Sequence, residues 1–275
     1  MPHVPDAARL LRAYDDHLRT QAPSAIAMTR LGPLHLTTFP GGRGWVTYRD
    51  LGGADAAAIR RLVADALAHY RADPSIERVD WKTRGHDHAP GLRQALLDHG
   101  FEEHETESIM IGEAAGLVSD VTVPAGVGVR RVVDEPDVRA MVAMASSVFG
   151  DDATDRITTS LLRRLTLDDG MQLWVAEADG QVVSAGRLEP VADSELAGIW
   201  GGATLPEWRG RGIYRAITAV RARSALAMGK TLVYSESTDY SRPILERAGL
   251  VRVSTTTPYT WRPGSSGGTE GSGGQ

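Results

Sequence analysis

The stretch Trp208–Ala216, W-R-G-R-G-I-Y-R-A, sets two glycines among three arginines and leads into an alanine-rich run. Its neighbours decide how it reads. A strand-like run, Glu195–Leu205 (ELAGIWGGATL), comes before it, and a helical pattern, GIYRAITAVRARSALAMGK, begins near Gly212. Pro206 ends the strand because proline has no N–H to give to a ladder. A helix N-terminus presents unpaired N–H groups at the positive end of its dipole, and glycine lets those amides approach a ligand with no Cβ in the way. Strand, Arg-Gly-Arg-Gly loop and helix therefore suit a phosphate or pyrophosphate. Taken alone, the motif also reads as a solvated basic turn. Two phosphate-binding patterns fail here. There is no G-K-[ST], and in a G-x-G-x-x-G frame starting at Gly210 the third glycine would fall on Arg215.

Composition bounds what surrounds this motif. A chain of 275 residues with 42% apolar content is enough for two modest cores. The net charge of −5 argues against a nucleic-acid partner, since phosphate contacts need a basic face. No cysteine is present, which excludes disulfides, thiolate metal sites and a cysteine acyl-enzyme, and suits a reducing cytoplasm. The first residues, MPHVPDAARLLRAYDDHLRT, have no apolar signal core, and no run approaches the ~20 apolar residues of a membrane span. A cytoplasmic protein with no membrane partner is expected.

Periodicity predicts a helix at DAARLLRAYDDHLRT, two strands around the PGGRG turn, and an amphipathic helix at DAAAIRRLVADALAHYR capped by Asp55 and stopped by Pro74. A strand at RVDWK, a helix at PGLRQALLDHG and a strand at HETESIMIGE follow. Residues 113–126 show no period and read as a linker. Beyond it come a strand (VGVRRVV), a helix capped by Asp134, a second helix from DATDRITTS ending at Gly170, and a hairpin turning at Asp179-Gly180. The anion motif, the strand TLVYSES, the helix SRPILERAGL and the strand VRVSTTTPYTW complete the chain. The tail, RPGSSGGTEGSGGQ, has the composition of a flexible linker. RVDWK…PGLRQALLDHGFEEHETESIMI and TLVYS…RPILERAGLVRVSTTTPYTW match each other, with Leu96 against Leu245 and Gly100 against Gly249, which suggests two copies of one α/β unit.

Arg209-Gly210-Arg211-Gly212-Ile213-Tyr214 resembles the R/Q-x-x-G-x-G/A motif of the GNAT superfamily of N-acetyltransferases, and the elements over residues 127–262 follow that family's order. Tyr214 departs from the usual Gly or Ala. The resemblance implies an α/β (α+β) fold with a mixed, mostly antiparallel central sheet flanked by helices. It implies a catalytic domain at 127–262, a smaller degenerate unit at 1–112, a linker at 113–126 and a tail at 263–275. It also implies acetyl-CoA as co-substrate, with its pyrophosphate on the amides of Arg209, Gly210, Arg211, Gly212, Ile213 and Tyr214, and its pantetheine along Ala203, Thr204 and Leu205. The family's strand bulges here and splays from its neighbour, and the paired glycines Gly201 and Gly202 inside the strand fit such a bulge. Aligned on Gly249 with the family's later motif N-x-x-A-x-x-L-Y-E-x-x-G-F, Ser241 falls at the Ala position and joins the cofactor-binding candidates.

Transfer to an amine calls for a base and for an acid to protonate the leaving thiolate. All eight histidines precede the linker, so the candidates in the C-terminal half are Glu195, at the start of the motif strand, and Glu236, at the end of the next. The family's acid, a tyrosine, aligns with Leu245; Tyr240, Tyr259 or water are the candidates to replace it. Gly52-Gly53 lacks flanking arginines, and Asp50 and Asp55 would repel phosphate, so the N-terminal unit is not expected to bind CoA. His86-Asp87-His88 has no third ligand nearby and reads as a polar turn, leaving no metal site. Trp200, Trp208 and Trp261 either line an acceptor pocket or belong to core and rim. The expected function is acetyl-CoA-dependent N-acetylation of a small-molecule or peptide amine by direct transfer; a non-catalytic acyl-CoA sensor is the alternative. Assembly as a homodimer stays open.

Overall fold

A computed structural model describes residues 6–150 and 154–264. In chain order the elements are α1 (Ala7–His17), β1 (Ala27–Leu31), β2 (Leu34–Phe39), β3 (Arg43–Tyr48), α2 (Ala56–Arg71), β4 (Arg78–Arg84), α3 (Leu92–Asp98), β5 (Glu102–Glu103), β6 (Glu107–Glu113) and α4 (Ala114–Leu117). Then come β7 (Val127–Val132), α5 (Glu135–Phe149), α6 (Thr154–Leu165), β8 (Gln172–Ala178), β9 (Gln181–Pro190), β10 (Leu196–Thr204), α7 (Ile213–Ala227), β11 (Leu232–Ser237), α8 (Arg242–Arg247) and β12 (Val251–Trp261).

The chain divides into two compact units, but not at a single linker. One unit comprises the residues up to His17 together with Ser108–Val253; the other comprises Leu18–Glu107 and the chain from Ser254. The division expected between residues 1–112 and 127–262 is thereby corrected. The N-terminal helix and almost all of β6 fall with the C-terminal half, and most of β12 falls with the N-terminal half. Each copy of the repeat gives its last strand to the other unit. Strand pairing is a choice of register and partner between segments far apart in the chain, so sequence alone does not assign the two last strands.

In the unit of Leu18–Glu107 the strand order is β1-β2-β3-β4-β12, with β5 also on β12. β3 and β4 run parallel and the other described pairs antiparallel. Helix α2 connects the parallel pair. The Asp55 carboxylate accepts from Ala58 N–H at 2.8 Å, and Ile59, Val63, Ala66, Leu67 and Tyr70 form the buried stripe. Trp81 and Phe101 meet edge to face in this core at 6.1 Å between centroids. The turn between β1 and β2, at Gly32-Pro33, was missed by the expectation of two strands around PGGRG.

In the other unit the order is β6-β11-β10-β9-β8-β7, again with one parallel pair, β10 and β11, connected by α7. The repeat is therefore structural as well as sequential: antiparallel strand, parallel crossover through a helix, parallel strand, short helix. The Asp134 carboxylate caps α5 through Asp137 N–H at 3.0 Å, and the Asp179-Gly180 hairpin takes positive φ at both turn residues. Part of the stretch read as linker is α4, whose Ala114 and Leu117 are buried in a core with Ala222 and Leu245. Helix α6 ends at Leu165, five residues before the expected Gly170, and its expected start near Asp152 lies outside the described residues, as does the tail from residue 265. Among the described residues, no helix is long and apolar enough to cross a membrane.

Candidate active site

Strand β10 has two neighbours and leaves one of them early. It pairs with β9 along its length, but with β11 only over Leu196–Gly198 against Leu232–Tyr234. Strand β11 continues to Ser237 on β6. The two parallel strands therefore part beyond Gly198, leaving a wedge with β10 unpaired on its β11 side. The cause is local. The register against β9 shifts between Trp200 and Ala203, and Gly201 there sits at φ +59°, a conformation that strains any residue carrying a Cβ. At the throat, Trp200 and Tyr234 meet edge to face at 5.3 Å. A Cβ on Gly198 would stand 2.4 Å from the Trp200 indole nitrogen, so only glycine leaves room for that ring.

The wedge leads to the helix mouth. After β10, a 3₁₀ turn at Pro206–Trp208 brings the chain to Arg209. Gly210 and Gly212 both lie in the left-handed region, and Gly212 caps α7 with no side-chain hydrogen bond. The first bond back into α7 is Ala216 N–H to Gly212 O, so the N–H groups of Ile213, Tyr214 and Arg215 lead the helix. Space in front of Gly210 is open, whereas a Cβ on Gly212 would lie 3.3 Å from Val121 Cγ1. A segment read as linker thus walls one side of the cradle. The arginines hold the loop: Arg209 Nε donates to Thr204 O at 3.1 Å, its guanidinium faces the Tyr240 ring at 5.9 Å, and Arg211 stacks on Trp208 at 4.9 Å. Tyr214 lays its ring on the bulge, where a Cβ on Gly202 would meet Tyr214 Cε2 at 2.6 Å.

The equivalent helix of the other unit opens on carboxylates instead. Gly52 and Gly53 precede α2, but the Asp55 carboxylate already accepts from its first turn, and Asp50 binds Gly52 N–H at 2.8 Å. A carboxylate cap both fills the donors and repels a phosphate.

Of the candidate acid–base residues, Glu236 stands on the open arm of the wedge, two residues past the last β10–β11 pair. Tyr14, from α1, is 1% exposed and donates its hydroxyl to Glu236 Oε1 at 3.4 Å. Nothing in the sequence marks this contact. Helix α1, from the start of the chain, belongs to the same unit as Glu236. Burial, then the charges of Glu189 and Glu236, hold the Tyr234 hydroxyl well above the ordinary tyrosine range, so it stays protonated. Glu195 sits at the closed end of the wedge, with Thr231 Oγ1 on its carboxylate at 2.8 Å and Arg9 at 3.6 Å. Nine residues of strand separate it from Thr204, roughly 30 Å at the usual rise. Tyr240 is 72% exposed beside Arg209, and Ser241 begins α8 with its hydroxyl on Thr238 O at 3.4 Å. Tyr259 is buried in the core of the other unit, donating to Glu103 Oε1 at 2.7 Å, and Trp261 lies in the same core. Leu245, at the family's tyrosine position, is buried against Ala222 and Val233.

Among the described residues no cluster of acids and histidines could hold a metal ion. His86-Asp87-His88 is partly structural: Asp87 accepts from Tyr48 and Arg19, both at 2.8 Å, and His86 Nε2 faces Arg19 at 3.2 Å.

A sheet whose parallel strands part at a glycine bulge, beside a helix capped by glycine, is the arrangement that the sequence resemblance implied. Residues 139–249 match the family model described as acetyltransferase (GNAT) family, and the chain carries a GNAT acetyltransferase domain there. Solved structures agree on the fold across both units. A GCN5-related N-acetyltransferase from Kribbella flavida is 20% identical, with 94% of this chain and 96% of that one covered at a TM-score of 0.66. A functionally unknown conserved protein from Staphylococcus epidermidis ATCC 12228 is 13% identical, with 90% and 97% covered at 0.67. A tandem GNAT protein from the clavulanic acid biosynthesis pathway is 16% identical, with 89% and 86% covered at 0.58. No curated protein matches the chain in sequence.

Proposed function

We propose that the protein is an acetyl-CoA-dependent N-acetyltransferase whose acceptor is a primary amine on a small molecule or peptide. One observation carries this reading: the unpaired stretch of β10 runs directly into a helix N-terminus capped by glycine, with no side chain on its amides. A thioester with a pyrophosphate at the far end of its arm fits that continuous surface. The strand offers backbone groups to an amide-bearing arm, and the amides from Arg209 to Tyr214 offer donors to the pyrophosphate. Acetyl-CoA supplies an activated acetyl group. The chain's own residues then act on the acceptor. The Glu236 carboxylate takes the proton that the amine gives up as its nitrogen bonds the acetyl carbon and the carbon–sulfur bond breaks; that proton goes on to the departing thiolate, and Tyr14 supports the carboxylate through its hydroxyl. The missing cysteine favours direct transfer over an acyl-enzyme. The N-terminal unit, with α2 capped by Asp55, is a companion that binds no CoA.

Leu245 favours one second reading, an acyl-CoA sensor without turnover, because an aliphatic side chain stands where the family has its acid. Titration calorimetry with acetyl-CoA tests both readings, and dissociation constants no tighter than millimolar would end them. Release of free thiol in the presence of a panel of primary amines, absent without them, separates the enzyme from the sensor.

A further inference from the structure

Arg221, near the middle of α7, is 1% exposed, and no carboxylate faces it among the described residues. A guanidinium stays charged at any physiological pH, and burying it without hydrogen bonds is very costly. Its donors are met by three backbone carbonyls and the Thr218 hydroxyl. Nε donates to Ile217 O at 3.3 Å, Nη1 to Arg187 O at 3.2 Å and Trp200 O at 3.4 Å, and Nη2 to Thr218 Oγ1 at 3.2 Å. Two of these acceptors are informative. Trp200 and Arg187 are the last register partners before β10 shifts against β9. Gly186 is next along β9, and a Cβ there would lie 2.7 Å from Arg221 Cζ. The guanidinium thus occupies the space that a side chain opposite the bulge would take. Seven residues earlier on the same helix, Tyr214 sets its hydroxyl beside Arg221 and its ring over Gly202.

We propose that Arg221 is a positioning residue for the acetyl-CoA wedge: seated over Gly186, it binds the Arg187 and Trp200 carbonyls and holds β10 in the kinked path that keeps it off β11. The reason is hydrogen-bond supply. A bulge takes carbonyls out of the regular ladder, and inside a protein they need other donors. A five-donor fork that reaches both strands removes the incentive for β10 to straighten and pair with β11 beyond Gly198. Glycine at 201 and 202 permits the kink, and Arg221 maintains it. The inference rests on the reading that this wedge takes acetyl-CoA.

The test uses the full chain with Arg221→Met, Arg221→Lys and a control, Leu173→Ala, which opens a cavity in the core under α5 and α6. Acetyl-CoA affinity is measured by calorimetry, and amide hydrogen exchange over residues 199–204 is followed without ligand. Arg221→Met is expected to bind at least tenfold more weakly and to exchange faster at 199–204, with α5 unchanged. Arg221→Lys, which keeps charged donors, is expected to recover part of both. Leu173→Ala is expected to melt earlier yet bind as the parent does. A folded Arg221→Met with affinity within twofold of the parent and unaltered exchange overturns the proposal. So does a lysine variant no better than methionine, or a control that weakens binding as much at equal loss of stability. If Arg221→Met does not fold, Gly186→Ala displaces the guanidinium from its seat and is read against the same outcomes. Failure of the parent to bind acetyl-CoA would sink the proposed function alone, because the exchange measurement still reports whether Arg221 holds the bulge.

Discussion

Replacing Gly212 by aspartate separates the role of the helix mouth from its stability. The residue sits at φ +79°, so a side chain there incurs the left-handed penalty of about 1–2 kcal/mol, less for aspartate than for most. Its Cβ would press on Val121 Cγ1 at 3.3 Å, a contact a small shift can relieve. Both costs fall equally on free and bound protein, so they lower the melting temperature, by about 2–4 °C per kcal/mol, and leave affinity alone. The carboxylate is different. Set roughly 5 Å from a phosphate at an effective dielectric constant of about 20, it costs about 3 kcal/mol per charge pair. That weakens acetyl-CoA binding roughly 100-fold. Gly212→Ala carries the strain without the charge and should melt earlier yet bind within about threefold of the parent. Calorimetry reads the affinities and scanning calorimetry the stabilities. A folded Gly212→Asp that binds acetyl-CoA within threefold of the parent would refute the cradle.

Other outcomes follow from single contacts. Glu236→Gln should lower kcat by about 10²–10³ with acetyl-CoA affinity unchanged; an unaltered rate of thiol release would remove Glu236 as base. Gly202→Ala forces a Cβ to 2.6 Å from the Tyr214 ring and should cost about 1–3 kcal/mol in denaturant unfolding. Adding Tyr214→Ala should recover much of that loss, and strict additivity of the two changes would contradict the contact. Tyr48→Phe removes the hydroxyl that Asp87 accepts at 2.8 Å and should destabilise the smaller unit by about 1–3 kcal/mol, read by its exchange protection. The paired hydrogen bonds from Arg130 hold the Asp137 carboxyl below its usual value. A depressed folded value contributes stability that is fully present above the unfolded value of about 3.9 and is lost as pH falls through the folded one. Arg130→Met should therefore flatten the acid limb of the stability profile below about pH 4, and an unchanged limb would rule the pair out.

Much of the fold could be read locally. The caps Asp55 and Asp134, the Asp179-Gly180 hairpin, the bulge glycines and the glycine-capped mouth of α7 each depend on residues within a turn or two of one another. Backbone preference and short-range hydrogen bonds decide such features, and both are written in the residues themselves. The turn at Gly32-Pro33 was equally local, yet the stronger glycine signal of the next turn obscured it.

What the sequence determined by itself was the make-up of one helix mouth: strand, glycines, helix, and a glycine cap with no side chain. It also determined that the second copy differs there, because Asp55 stands at the matching cap. Only the tertiary structure decided which strands close each sheet, that α1 brings Tyr14 to Glu236, and that Arg221 turns inward beneath the bulge. These are choices among partners far apart in the chain. Their energies come from registers, buried carbonyls and excluded water, which no single window of residues contains. An arginine in a helix reads as a surface charge until a glycine on another strand is seen to make room for it.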